Sequence, residues 1–285
     1  MRKVLSVVIL THNQPRELAR LLGNLRTVPK EVEIIIVDDH SNDESVADAV
    51  EAVHQFHNVT GAGRYEYLEH WAGCGGARNY GVKAAQGDWV WFVDGDDLIA
   101  PDALPRVLDA VRRTGFGTLL VDYEIRRQDG TFDVTDFEAA GLKPWEVGIM
   151  AWSKVIRKSY LVPFRERIMY EDNDWWMRQC FTCRAYGVVP GGPCYTYHQL
   201  AAGSATSVIE RLKIPDGADP ASVRMLDSFL AENDPKLTEA IAWLFEDLAA
   251  LLKVRVDAAR YRMPESYFDA LDYMIKYFKR MLRVR

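Results

Sequence analysis

Two continuous apolar runs near the start of the chain, Val4 to Leu10 and Val32 to Val37, constrain its fold more than any other feature. Neither alternates apolar with polar residues, so both read as strands buried on both faces of a sheet. Each run ends in a polar loop that leads into a helical pattern. Thr11-His12-Asn13-Gln14-Pro15 precedes Leu18, Leu21, Leu22 and Leu25 on one helix face, and Asp38-Asp39-His40-Ser41-Asn42-Asp43 precedes Val46, Val50 and Val53. Strand, polar loop and helix in repetition predict parallel βαβ units and an α/β fold class. In such sheets ligands bind beyond the carboxyl ends of the strands, the edge on which these loops fall.

A third run, Asp88-Trp-Val-Trp-Phe-Val-Asp-Gly-Asp-Asp97, ends in three carboxylates around one glycine. Val90, Phe92 and Val93 give it strand character. Folding alone gives no reason for Asp94, Asp96 and Asp97 to sit where they repel one another, and a cation would resolve the conflict. Oxygen-only ligands suit a hard divalent ion, Mg²⁺ or Mn²⁺, held by one or two carboxylates and substrate phosphates. The alternative is a solvated acidic turn that caps the next helix, with Pro101 in its first turn.

Five segments in one order carry a family resemblance. Ser6-Val-Val-Ile-Leu-Thr-His-Asn13 and Ile34-Ile-Ile-Val-Asp-Asp-His-Ser41 resemble the first two strands and loops of the family 2 glycosyltransferases of the GT-A fold. Gly73-Cys-Gly-Gly-Ala-Arg-Asn-Tyr-Gly81 is similar to that family's Ala-Arg-Asn-x-Gly helix start, Asp94-Gly-Asp-Asp97 to its Asp-x-Asp motif, and Glu171-Asp172 to the acidic pair before its acceptor-side helix. The resemblance covers roughly residues 4 to 207. It implies a Rossmann-like, mostly parallel sheet flanked by helices: a catalytic domain over 1–207, with a nucleotide-sugar half at 1–100 and an acceptor-side half at 101–207, and a helical extension over 208–285.

The resemblance also implies roles. Asp39 would accept from the base of a nucleotide, the uracil imide N–H, where the competing role is a helix N-cap that Ser41 or Asp43 could also fill. Thr11, His12 and Asn13 would line the base and ribose pocket, although the family more often has Tyr at His12. Arg78 would reach the nucleotide or its phosphates, against the alternative of an exposed helix arginine; Asn79 and Gly81 would shape that helix start, and Trp71 stands where an Asn is usual. Asp94, beside Gly95, would hold the ribose hydroxyls, and Asp96 the cation bridging the two phosphates, supported by Asp97. His198 falls where related enzymes carry a late metal or diphosphate ligand. Asp172 would be the general base toward an acceptor hydroxyl, with Glu171 orienting it or touching the acceptor. Trp145, Trp152, Trp175 and Trp176 would stack on sugar rings or pack in the core.

A net charge of −6 and no basic stripe in the first two hundred residues argue against nucleic-acid binding. Cys74, Cys180, Cys183 and Cys194 are too few and irregular for a disulfide framework, which predicts reduced thiols and a cytoplasmic setting. The start runs into the first strand without the apolar stretch of a signal peptide, and no apolar run approaches the ~20 residues that span a bilayer. Ile214 to Pro220 reads as a linker, and beyond it Leu244, Leu248, Leu251 and Leu252 share a helix face. The last segment, Tyr267 to Arg285, is a basic amphipathic helix, open to packing on the catalytic domain, a dimer contact, or peripheral contact with the inner face of a membrane.

Together these features predict an inverting, metal-dependent (Mn²⁺ or Mg²⁺) transferase. It would move a sugar from a UDP-sugar to a hydroxyl of a glycan or lipid-linked saccharide in cell-envelope polysaccharide biosynthesis. Two further readings stand beside it, a sugar-phosphate nucleotidyltransferase and a catalytically silent scaffold that keeps the fold. The loop at Thr11 to Pro15 lacks the Gly-rich, Lys/Arg-bearing sequence expected of the first, and the acidic and arginine set argues against the second.

Overall fold

The computed structural model describes residues 2–142, 147–166, 171–179 and 185–199. The linker and helices expected beyond residue 207 lie outside the described residues, as do Trp145, Cys180 and Cys183. The chain opens with β1 (Leu5–Thr11), α1 (Pro15–Asn24), β2 (Val32–Asp38), α2 (Asp43–Thr60), β3 (Arg64–Tyr67), α3 (Gly73–Ala84) and β4 (Trp89–Asp94). It continues through β5 (Leu98–Ile99), α4 (Ala103–Arg113), β6 (Thr118–Leu120), β7 (Tyr123–Arg126), β8 (Phe132–Val134) and α5 (Phe137–Ala140). Last come β9 (Lys154–Arg157), α6 (Glu171–Gln179), β10 (Gly187–Val188) and β11 (Tyr195–His198).

The main sheet has seven strands in the order β10-β6-β9-β4-β1-β2-β3. β4, β1, β2 and β3 are parallel neighbours, whereas β9 runs antiparallel between β4 and β6. The apolar runs explain why β1 and β2 are central: every residue of β1 and all but Glu33 of β2 are buried. Register then fixes the edge where chemistry gathers. Thr11 pairs with Asp38 and Leu10 with Asp94, so the polar ends of β1, β2 and β4 align at one level.

A second sheet, β5-β11-β7-β8, was not legible in the sequence. Its strands are short and β8 is wholly exposed, so no apolar run marks them. It positions β11 against β5, directly after the carboxylate turn. Two expectations are corrected at helix starts. Asn42, not Ser41 or Asp43, caps α2 by accepting from Ser45 N–H at 2.9 Å. Pro101 precedes α4, whose first residue is Ala103. The buried face of α2 is Ala49, Val53 and Phe56, with Val46 and Val50 half-buried at its margin.

Trp152, Trp175 and Trp176 belong to the core, each at most 3% exposed, and are not sugar platforms in this structure. Phe164 stacks on Trp175 with ring centroids 4.5 Å apart, and both meet Phe92 edge-on, tying β4 to α6. On the same face of the sheet, α3 lies against β1 so closely that a Cβ on Gly81 would come within 2.2 Å of Val8 Cγ1. Gly81→Ala therefore has to push the helix off the sheet. We expect it to lose about 1–3 kcal/mol of stability in denaturant unfolding, whereas Gly23→Ala, whose Cβ meets nothing within 4 Å, should change little.

Candidate active site

The loops after β1 and β2 are built around one another. Asn13 N–H donates to Ser41 Oγ at 2.7 Å, Asn42 N–H donates to Asn13 Oδ1 at 2.9 Å, and His12 Nδ1 lies 2.7 Å from the Asp39 carbonyl oxygen. Both turns use left-handed backbone at a non-glycine residue, φ 53° at Asn13 and 63° at His40. Such conformations are sparse outside glycine and concentrate at binding sites. Asp39 is buried, and its Oδ1 accepts from Ala72 N–H at 2.6 Å, just before the first turn of α3. Burial raises its pKa, against the pull of that N–H. With α2 capped by Asn42, the carboxylate of Asp39 faces α3 rather than its own helix. Thr11 is buried at the end of β1, and its carbonyl accepts from Asp39 N–H at 2.9 Å.

The carboxylates after β4 divide into two kinds. Gly95 N–H donates to the Leu10 carbonyl at 2.8 Å, and a Cβ on Gly95 would lie 2.4 Å from that oxygen, so only glycine lets this turn close on β1. Asp97 is 1% exposed, accepting from Tyr195 O–H at 2.6 Å through Oδ2 and from His198 N–H at 2.7 Å through Oδ1. Asp97 is therefore a bracket that fastens the turn to β11. His198 presents a buried Nδ1 to the same carboxylate at 3.7 Å, so its ring is also turned toward Asp97. Asp94 and Asp96 remain partly open. Burial pushes the carboxyl of Asp94 up to about 8 against Arg78, with Asp97 and Asp96 adding to the rise, although its side chain keeps 30% of its surface. Burial and Asp97 push Asp96 up to about 6.

Arg78, 2% exposed, joins this turn to α6. Its Nη2 donates to Asp94 Oδ1 at 3.2 Å, and its Nη1 to Glu171 Oε1 at 2.6 Å and Asp172 Oδ1 at 2.8 Å. Its guanidinium also lies over the Phe164 ring, 5.2 Å from the centroid. Both terminal nitrogens donate to carboxylates, which makes Arg78 a buried ion-pair hub, and its buried Nε has no hydrogen-bond partner among the described residues. Those carboxylates raise its pKa well above the usual value despite desolvation, so the hub stays charged. Glu171 shifts upward through burial, with Arg78 opposing. The second oxygen of Asp172 accepts from Ala151 N–H at 3.1 Å.

Three further residues support the site. Tyr195 donates to Asp97, accepts from Asp94 N–H at 3.2 Å, and stacks on Trp152 with centroids 4.5 Å apart. Lys154 is buried and donates to the Met150 carbonyl at 2.9 Å, shaping the turn whose Ala151 N–H holds Asp172. Asn79, expected to shape a helix start, exchanges two bonds with the backbone of Phe164, which lies under Arg78.

The family model for glycosyl transferase family 2 matches residues 6–188, a span that contains every residue of this site except Tyr195 and His198. The chain belongs to glycosyltransferase family 2. The succinoglycan biosynthesis protein ExoO of Rhizobium meliloti is 27% identical over 215 residues, 68% of this chain and 60% of ExoO. This chain thus spans less than two thirds of that relative. Two solved structures share the fold: Staphylococcus aureus TarS residues 1–349 with UDP-GlcNAc, and the mannosyltransferase PcManGT of Pyrobaculum calidifontis with GDP-Man and Mn²⁺. TarS is 19% identical over 98% of this chain and 90% of its own, with a TM-score of 0.58. PcManGT is 18% identical over 99% and 88%, with a TM-score of 0.55.

For a family 2 chain the two open carboxylates bear on metal binding. No group of three His, Cys, Asp or Glu side chains forms a closed cation cage among the described residues. Asp94 and Asp96 nevertheless fit an ion held by one or two carboxylates and a ligand's phosphates. Their raised pKa values have a testable sign. The folded chain keeps protons that the unfolded chain releases, so this stability is full below about pH 4 and is lost as pH rises through about 6 and then about 8. Without added metal, thermal melts across pH 5–9 should therefore show the wild type losing stability relative to Asp94→Asn. A difference that stays flat or reverses contradicts this electrostatic picture.

Proposed function

We propose that this chain transfers a sugar from a UDP-sugar to a hydroxyl of a glycan or lipid-linked saccharide by a single inverting displacement. One observation carries the reading: Arg78 gathers Asp94, at the end of β4, and Glu171 with Asp172, at the start of α6, onto one guanidinium. A charge site at the carboxyl edge of the parallel strands is thereby held beside a pair of candidate bases. The nucleotide-sugar complexes of TarS and PcManGT support a nucleotide donor at this edge.

In this reading Thr11, His12 and Asn13 line the base and ribose, and Asp39 accepts from the uracil imide with lone pairs that Ala72 N–H leaves available. Asp94 and Gly95 border the ribose and diphosphate. Asp96, with Asp94, would hold Mn²⁺ or Mg²⁺ together with the diphosphate, an ion that would stabilise charge on the leaving group. Asp172 takes the proton of the acceptor hydroxyl as its oxygen bonds to the anomeric carbon and the bond from that carbon to the phosphate oxygen breaks, releasing UDP. Arg78 and Ala151 N–H, one at each carboxylate oxygen, fix the plane of Asp172. Each Asp172 oxygen accepts one described bond and retains a lone pair for the proton. Glu171 orients the pair through the shared guanidinium.

Thermal melts with UDP, GDP, dTDP and CDP, each with and without Mn²⁺, test the donor. UDP should raise the midpoint most, and Mn²⁺ should enlarge the shift. Asp96→Asn should abolish the Mn²⁺-dependent part. Asp172→Asn should keep the nucleotide shift while turnover of the best UDP-sugar falls by roughly 10²–10⁴-fold. No shift with any nucleotide overturns the reading.

A further inference from the structure

One face of α3 points away from the ion-pair hub. Ala72, Gly76, Asn79, Tyr80 and Lys83 recur at helical spacing, and with the 67–70 segment after β3 and Glu166 they line a cavity of about 480 Å³. That volume lies within the range of about 300–1,000 Å³ typical of ligand clefts. The opposite face of the same helix packs Ala77, Arg78 and Gly81 inward. The cavity and the ion-pair hub therefore share a helix but occupy different sides of it.

Its lining selects for one ligand chemistry. Tyr67 and Tyr80 are 40% and 36% exposed, and Trp71, in the segment between lining residues His70 and Ala72, is 40% exposed. Large aromatics this open are few among the described residues. Both tyrosine rings are anchored through their hydroxyls: Tyr80 O–H donates to Glu66 Oε2 at 3.0 Å, and the Tyr67 hydroxyl lies 3.2 Å from His40 Nδ1. Glu66 is itself held by Arg64 at 2.8 Å. Flat faces are thus presented on rings whose orientation is already fixed, which lowers the entropy cost of binding.

Around those rings stand Glu69, His70, Lys83 and Glu166. Two carboxylates against one ammonium disfavour an anionic ligand such as a phosphate. So many polar groups also disfavour a purely apolar one. A neutral polyol with apolar C–H faces and a rim of hydroxyls matches both the aromatic and the polar parts of the lining.

The geometry points to a saccharide-binding site in this cavity, separate from the reacting centre, that holds a neutral glycan segment. Its use rests on the transferase reading, since a glycan held here would raise the local concentration of acceptor ends at the carboxylates. Binding itself does not depend on that reading.

The test is ligand-observed saturation-transfer NMR on the full chain with maltotetraose, cellotetraose and chitotetraose as probes. At least one should bind in the millimolar range, in the presence or absence of saturating UDP and Mn²⁺, and equally to Asp172→Asn. Tyr80→Ala should weaken that binding by about tenfold or more; Lys83→Ala, on the same exposed helix face, takes its place if Tyr80→Ala loses its fold. The proposal is overturned if none of the three binds at tens of millimolar. It is also overturned if UDP displaces the bound saccharide, or if the folded cavity variant binds as the wild type does. Failure of the transferase reading has a different mark, the absence of any nucleotide shift with saccharide binding intact.

Discussion

A guanidinium buried to 2% exposure is tolerable only with its charge matched, and the architecture of this chain around Arg78 follows from that requirement. Desolvation works against the charged form, and Asp172, Asp94 and Glu171 more than compensate. These partners come from β4 and α6, so the ion pairs fasten two elements far apart in sequence. The aromatic group of Phe92, Phe164 and Trp175 makes the same connection through apolar contact. Lysine could supply the charge but not the planar fork that reaches three carboxylates at once.

The acidic turn works by a division of labour. Asp97 gives both oxygens to β11 and holds the turn in place, which leaves Asp94 and Asp96 crowded together at the strand edge. Their pKa values are raised first by burial and then by the neighbouring carboxylates. The ionised turn is thereby destabilised by its own fold, and protonation relieves that cost.

The parallel core was legible in the sequence because β1, β2 and β4 are long apolar runs whose burial on both faces leaves no alternation to misread. The polar loops at their ends were legible for the same reason, since a buried strand must end before charge can be solvated. What escaped was everything specified by partners distant in sequence. Nothing local distinguishes Asp97 from Asp96, yet Tyr195 and His198 make one a bracket and leave the other partly open. Arg78 reads as a surface arginine or a phosphate ligand until Glu171 and Asp172 are seen beside it. At least two of the four tryptophans read as core rather than sugar platforms, and burial places Trp152, Trp175 and Trp176 there. The second sheet is built from strands of two to four residues, too short for periodicity to register.

The central claim is that Arg78 positions the acidic groups and does not bind the nucleotide. Arg78→Lys, compared with wild type by calorimetric titration of UDP with Mn²⁺ and by turnover on the best UDP-sugar, separates the two roles. The account predicts a UDP affinity within about threefold of wild type, a difference below 1 kcal/mol, with turnover reduced by about 10²-fold or more as Asp172 loses its alignment. A folded Arg78→Lys protein that loses UDP affinity by an order of magnitude while keeping its turnover at saturating donor would contradict it.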